Sequence, residues 1–329
     1  MTMKAKSKIL GVDAFLLGVF VVAPLFISVS GRRDLWYTLT SVALLSIASA
    51  GVWLTFYIGR INIGQAAYAL VGGYVSAILV SRYEVSFWLS LPAAGAFCAF
   101  ASILIGAPIL RLRGVYFAMV TLVLTEVAHL LALALPITNG AKGMTNIPMP
   151  GTLSLFGLTL IPDFATMSNP RAAYYFLSVT VMTLCFAGLY RLVHSRIGQL
   201  CQSLQQNEEL ASSIGVDIAV LRVIAYAISS FAGGVGGAIF ASLSQSIYPS
   251  SFAVTDSVNF LLNCFLGGLG FVFGPILGTF VLYFGWDLLF STGEYQLLIY
   301  SSLLILAMLL LPNGLLSLKL SSFRKGRDA

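Results

Sequence analysis

Residues 86–106 read Ser-Phe-Trp-Leu-Ser-Leu-Pro-Ala-Ala-Gly-Ala-Phe-Cys-Ala-Phe-Ala-Ser-Ile-Leu-Ile-Gly, twenty-one positions without a charged side chain. At about 1.5 Å per residue a helix of that length spans the roughly 30 Å of a bilayer's hydrocarbon core. The rest of the chain repeats the pattern. Of 329 residues 58% are hydrophobic and 9% charged, and the mean hydropathy is +0.93, whereas soluble domains carry about 25% charged residues. A soluble enzyme, a disordered chain and a nucleic-acid binder are therefore excluded, and the partner to expect is the lipid bilayer. A β-barrel is excluded as well, because its strands alternate with a polar lumen.

Apolar runs place spans at 9–29, 35–57, 62–81, 86–106, 115–136, 173–193, 221–243, 257–272, 275–291 and 295–311. This is an all-α polytopic membrane protein of about ten transmembrane helices, with 1–329 as one transmembrane domain. Lys4, Lys6 and Lys8 before Ile9–Val29 resemble a signal peptide, but the apolar run is too long for one, so an uncleaved first span is expected. With the N-terminus inside, thirteen of the 18 basic residues fall on the inner side, as the positive-inside tendency requires. Both termini are expected to be cytoplasmic, and the excess positive charge needs no nucleic acid to explain it.

Two loops are long enough to hold structure. The outer one, 137–172, is rich in Pro and Gly and reads as an irregular cap, with a short hairpin around Thr152–Leu160. The inner one, 194–220, contains Gln199–Ser213, which lacks Gly and Pro and predicts one helix stopped by Gly215. No phosphate-binding loop, metal-ligand spacing or hydrolytic constellation is present, and Cys98, Cys185, Cys201 and Cys264 read as packing residues. In-span acids are few: Glu126, Asp287 and the marginal Asp13.

The inner loop carries Glu208-Glu209-Leu-Ala211-Ser-Ser-Ile-Gly215. It resembles the E-A-A-x-x-x-G coupling loop of permease subunits in ATP-binding-cassette importers. Further segments agree in order and spacing: Arg60-Ile-Asn62-Ile-Gly64-Gln65, Arg111-Leu-Arg113-Gly114-Val-Tyr116, Gly267-Gly268-Leu-Gly270-Phe-Val-Phe-Gly274-Pro275 and Pro312-Asn-Gly314. Together, over about residues 40–318, they are similar to the LivM-type permease of branched-chain amino-acid importers. The resemblance implies a second, LivH-like permease subunit, two cytoplasmic ATPase subunits and an extracytoplasmic solute-binding protein. It also implies no cofactor in this chain, with ATP-Mg held on the ATPases, and no enzymatic activity of its own. Related importers carry urea, short amides or aromatic acids, so the cargo stays open among these.

Within that frame Glu208, Glu209, Ala211 and Gly215 form the ATPase-coupling loop. Candidates for the translocation path are the polar residues inside spans, since such groups mark either helix contacts or a pathway. They are Asn62 and Gln65, then Thr125, Glu126 and His129, and Asn259 with Asn263. The structural alternative pairs Glu126 with His129 or a neighbouring helix. Gly233, Gly237, Gly267, Gly268, Gly270 and Gly274 read as small residues that let helices approach. A second function class, a stand-alone secondary transporter or channel, would use Glu126, His129 and Asp287 as ion sites.

Overall fold

The computed structural model describes residues 18, 23–24, 34–155, 158–213, 215–289, 293, 295–311 and 314–316. The predicted first span lies outside these save for Gly18, Ala23 and Pro24, as do Asp13, Pro312 and Asn313. The helices are α1 (Asp34–Tyr57), α2 (Gln65–Arg82), α3 (Phe87–Ile109), α4 (Val115–Ala134), α5 (Pro170–Val193), α6 (Arg196–Gln206) and α7 (Glu208–Ser213), followed by α8 (Ile218–Ser244), α9 (Val254–Gly267), α10 (Gly274–Leu288) and α11 (Gln296–Leu310). Among the described residues five helices are long and apolar enough to cross a membrane: α1, α3, α4, α5 and α8.

Helix α8 is the axis of the core and packs along α1, α2 and α3. Helix α5 lies on α1, while α9 and α10 pack on each other and on α1. The α2–α8 seam is close because glycines face backbone there. A Cβ on Gly72 would overlap Gly234, and one on Gly237 would overlap the Ala69 backbone. Lipid tails are as apolar as leucine, so membrane helices gain from this close contact rather than from water exclusion.

Several boundaries differ from the expected ones by a few residues, and at three of them the local reason is visible. Span three does not begin as helix at 62, because α2 starts at Gln65 and 60–64 is non-helical. Span eight ends at Gly267 rather than 272, where Gly268 takes φ +111° and the chain turns. The turn is held by the Trp53 indole N–H, which donates to the Leu269 carbonyl at 2.9 Å. Span nine ends at Leu288. The helix expected over 199–213 is two helices, α6 and α7, separated by Asn207 in extended conformation (φ −159°, ψ 110°).

Among the described residues of 137–172 the expected hairpin is present. Strands β2 (Leu153–Leu155) and β3 (Leu158–Ile161) pair antiparallel. A two-residue strand, β1 (Met144–Thr145), pairs with β4 (Ser246–Ile247), which directly follows α8. The Trp88 indole N–H donates to the Gly151 carbonyl at 2.9 Å, and Phe164 packs edge-on against Trp88 and Tyr174.

Candidate functional site

The start of α2 lies deep in the helical layer. The Gln65 amide donates to the Ser229 carbonyl at 2.9 Å, and Ser229 is the twelfth residue of α8, about 16 Å along its axis. Arg60, five residues earlier, meets Arg222 and Glu208 near the first turns of α8. Segment 60–64 thus climbs about 10 Å into the bundle without helical hydrogen bonds of its own. Irregular backbone at membrane depth is tolerated only where it is buried in protein or lines a cavity, and here side chains from several helices serve it. Thr121 Oγ1 accepts from the Ile63 N–H (3.1 Å), and Thr125 donates to the Ile63 carbonyl (3.4 Å). Asn62 Oδ1 accepts from the Gly64 N–H (2.9 Å), and Ser257 Oγ accepts from the Ala66 N–H (3.0 Å).

The side chains of this network also bind each other. The Asn62 amide donates to Gln65 Oε1 (3.2 Å), and Ser229 Oγ reaches both Gln65 Oε1 (3.2 Å) and the Gly51 carbonyl (2.8 Å). Asn62, Gln65, Thr121, Thr125, Ser229 and Ser257 are all fully buried. Asn62, Gln65 and Thr125 are therefore brought together around one buried helix end. Ser229 and Ser257 complete the group. In sequence Ser229 reads only as a small packing residue beside Gly233, and Ser257 escapes notice, because a serine in an apolar helix carries no signal of which backbone it will face.

The 194–220 loop is the second constellation. Helix α7 ends in a Schellman motif: the Val216 N–H returns to the Ala211 carbonyl (3.3 Å) and the Gly215 N–H to that of Ser212 (3.0 Å). That closure needs the left-handed φ of +84° found at Gly215, and Ala211 is buried beneath it. Asn207 Oδ1 accepts from the Glu209 N–H at 3.0 Å, starting α7.

The two neighbouring acids point in opposite directions. Glu209 is exposed. Glu208 turns inward and pairs with Arg60 (3.1 Å), Arg113 (3.3 Å) and Arg222. Arg60 and Arg222 are almost wholly buried, whereas Arg113 is exposed. Burial pushes the Glu208 carboxyl up, but the Arg222 hydrogen bond and the charges of Arg222, Arg60 and Arg113 outweigh it and hold the group below its ordinary value. The three arginines, read from sequence as orientation markers, thus also form a clamp. Only the fold brings positions 60, 113 and 222 to one carboxylate.

The remaining candidates are dispersed. His129 faces the Pro249 carbonyl through Nδ1 at 3.0 Å, while Glu126 is exposed on α4 amid an apolar face with Met119, Val123, Val127 and Leu130. Among the described residues no hydrogen bond or ion pair joins Glu126, His129 and Asp287. Asn263 donates to Ser49 Oγ (3.0 Å) and is buried, whereas Asn259, one turn earlier, is exposed. An apolar crevice of about 500 Å³ between α3 and α5 is lined by Gly51, Pro92, Cys185 and Phe231 among others, and holds none of the polar candidates.

Most of the glycines named above sit at close contacts. Gly233 faces Gln65 and Tyr68, and Gly237 faces Ala69. Gly267 abuts Gly274 across the turn, and Gly268 meets Gly314, so two of the quoted motifs touch. Gly270 takes no part in this packing. It is exposed, and a Cβ there would meet nothing within 4 Å, because it stands on the open side of the turn.

Comparison with known proteins gives the family. Residues 35–312 match the family model described as branched-chain amino acid transport system / permease component. The chain is 32% identical to the high-affinity branched-chain amino acid transport system permease protein LivM of Escherichia coli (strain K12), over 78% of this chain and 64% of that protein. It is 31% identical to LivM of Salmonella typhimurium, over 96% of this chain and 79% of that one. Similarity extends to the ribose import permease protein RbsC of Escherichia coli, 24% identical over 90% of this chain and 91% of that protein. No solved structure matches. With the family model spanning most of a multi-pass helical chain, this protein belongs to the family of branched-chain amino acid transport system permease components.

Proposed function

We propose that the chain forms one half of the translocation pore of an ATP-binding-cassette importer for branched-chain amino acids or related small solutes. A LivH-like second permease completes the pore, two cytoplasmic ATPase subunits supply energy by hydrolysing ATP-Mg, and an extracytoplasmic binding protein delivers the solute. The chain itself holds no nucleotide, crosses the membrane about ten times and keeps both termini in the cytoplasm. The observation that carries the reading is Glu126. It is the twelfth of twenty residues of α4, exposed, with apolar side chains around it. A carboxylate at that depth does not face lipid, so this surface of α4 meets a partner subunit or an aqueous path.

The gradient-driven alternative needs Glu126, His129 and Asp287 to act as ion sites, and neither their separate settings nor the family supports it. The test is reconstitution in proteoliposomes. The full set of subunits should take up leucine only with ATP and binding protein, and the chain alone should neither hydrolyse ATP nor transport. Glu126→Leu should impair uptake or subunit association while the isolated chain keeps its stability. Uptake by the chain alone on an ion gradient refutes the proposal.

A further inference from the structure

Resting on the reading just given, we propose that Glu208 is a positioning residue of the transport cycle, linking the α7 turn through Arg60 to the intramembrane start of α2. The loop that faces the ATPases has two adjacent acids, and only Glu209 is presented outward. Glu208 is spent inside the chain on three guanidiniums drawn from the α1–α2 segment, the α3–α4 connection and α8.

The Arg60 link has a specific destination. Its backbone N–H is fixed to the Thr55 carbonyl at 3.0 Å, so it stands where α1 has just ended. From there 61–64 rises to the network in which Thr121, Thr125, Ser257 and Ser229 hold Ile63, Ala66 and Gln65. That network touches α1, α4, α8 and α9 at once. A displacement of α7 therefore has a contiguous physical route to the end of α2: carboxylate, guanidinium, four residues of backbone, and a helix terminus held by side chains of its neighbours. Packed side chains, ion pairs and rigid backbone of this kind can carry energetic coupling between distant sites, and the variants below test whether they do.

Arg60 and Arg222 cannot simply release Glu208. Both are buried, and a buried cation stripped of its counter-ion is strongly unfavourable. The tie thus moves with α7 instead of dissolving into solvent. Arg113, exposed at 71% of its side chain, is the arm that water can replace.

The test uses the complete importer in proteoliposomes and reads solute transported per ATP hydrolysed. Glu208→Gln should lower that ratio roughly fivefold or more, the range of ordinary coupling energies, in complexes that still contain the ATPases. Arg60→Gln should match it, and the double variant should be no worse than either single one, because both break the same link. Glu208→Asp, which keeps the charge and shortens the reach by one methylene, should give an intermediate ratio and decides the matter should Glu208→Gln fail to assemble. Glu209→Gln, which alters the outward-facing acid, should weaken association with the ATPase subunits, a loss that Glu208→Gln does not share. Wild-type ratios in both Glu208 variants, or additive losses in the double variant, overturn the inference. Absence of ATP-driven transport in the wild-type complex overturns the proposed function instead.

Discussion

The α2–α8 seam offers a quantitative test of the packing. Gly237→Ala adds one carbon to α8 at a point where the nearest atoms are the backbone oxygen, carbon and Cα of Ala69. Carbons pack comfortably at about 3.5–4.0 Å, so α2 and α8 would have to separate, and backbone cannot swing aside as a side chain can. Overpacking of this kind costs about 1–3 kcal/mol, and the upper part of that range applies because two whole helices must move. Against it stands a gain of about 0.5–1 kcal/mol from replacing a helical glycine by alanine. Gly188 in α5 provides the control, since a Cβ there meets nothing within 4 Å. Gly188→Ala should show the gain alone. The two variants, the same chemical change in two apolar helices, should differ by about 2–3 kcal/mol with opposite signs. Thermal unfolding of the purified chain in one detergent, followed by size-exclusion recovery or tryptophan fluorescence, measures this directly. A Gly237→Ala protein as stable as the Gly188→Ala protein would refute the close α2–α8 approach.

Two further outcomes follow from the polar groups. Ser257→Ala leaves the Ala66 N–H, buried at the start of α2, without its acceptor, at a cost of about 1–3 kcal/mol. The same unfolding assay should show that loss, and an unchanged midpoint would remove Ser257 from the network. Glu208 sets a pH dependence: its carboxyl is held below the ordinary value of about 4.5, so its stabilising contribution is complete above that value and is lost as pH falls through the lowered folded value. Unfolding midpoints of the wild type should decline through that acid range, and Glu208→Gln should flatten this part of the slope. Identical profiles would show that the carboxylate is not paired.

Much of the architecture is legible from composition, because a bilayer accepts only long apolar runs whose backbone is satisfied within the segment. That is why 86–106 and 115–136 correspond to α3 and α4 within a few residues at each end. Local chemistry was equally readable at Gly215, whose missing side chain permits the helix stop, and in the hairpin around 152–160. Two misreadings share a cause. The break at Asn207 and the non-helical approach to Gln65 contain stretches that could be helical on propensity alone. What stops them is hydrogen bonding: Asn207 to the next turn, Ile63 to Thr121 and Thr125, and the Gly64 N–H to Asn62.

By itself the sequence determined that this chain lives in a bilayer, where its five long apolar helices lie to within a few residues and which loop carries the Glu-Leu-Ala-x-x-x-Gly signature. Those depend on hydropathy, turn chemistry and spacing, all of which are local. Only the tertiary structure decided that Glu208 faces inward while Glu209 faces out, and that Arg60, Arg113 and Arg222 converge on it. Adjacent acids on a short helix are equivalent in composition. Their difference comes from which side of the helix is packed against cations contributed from three distant points of the chain.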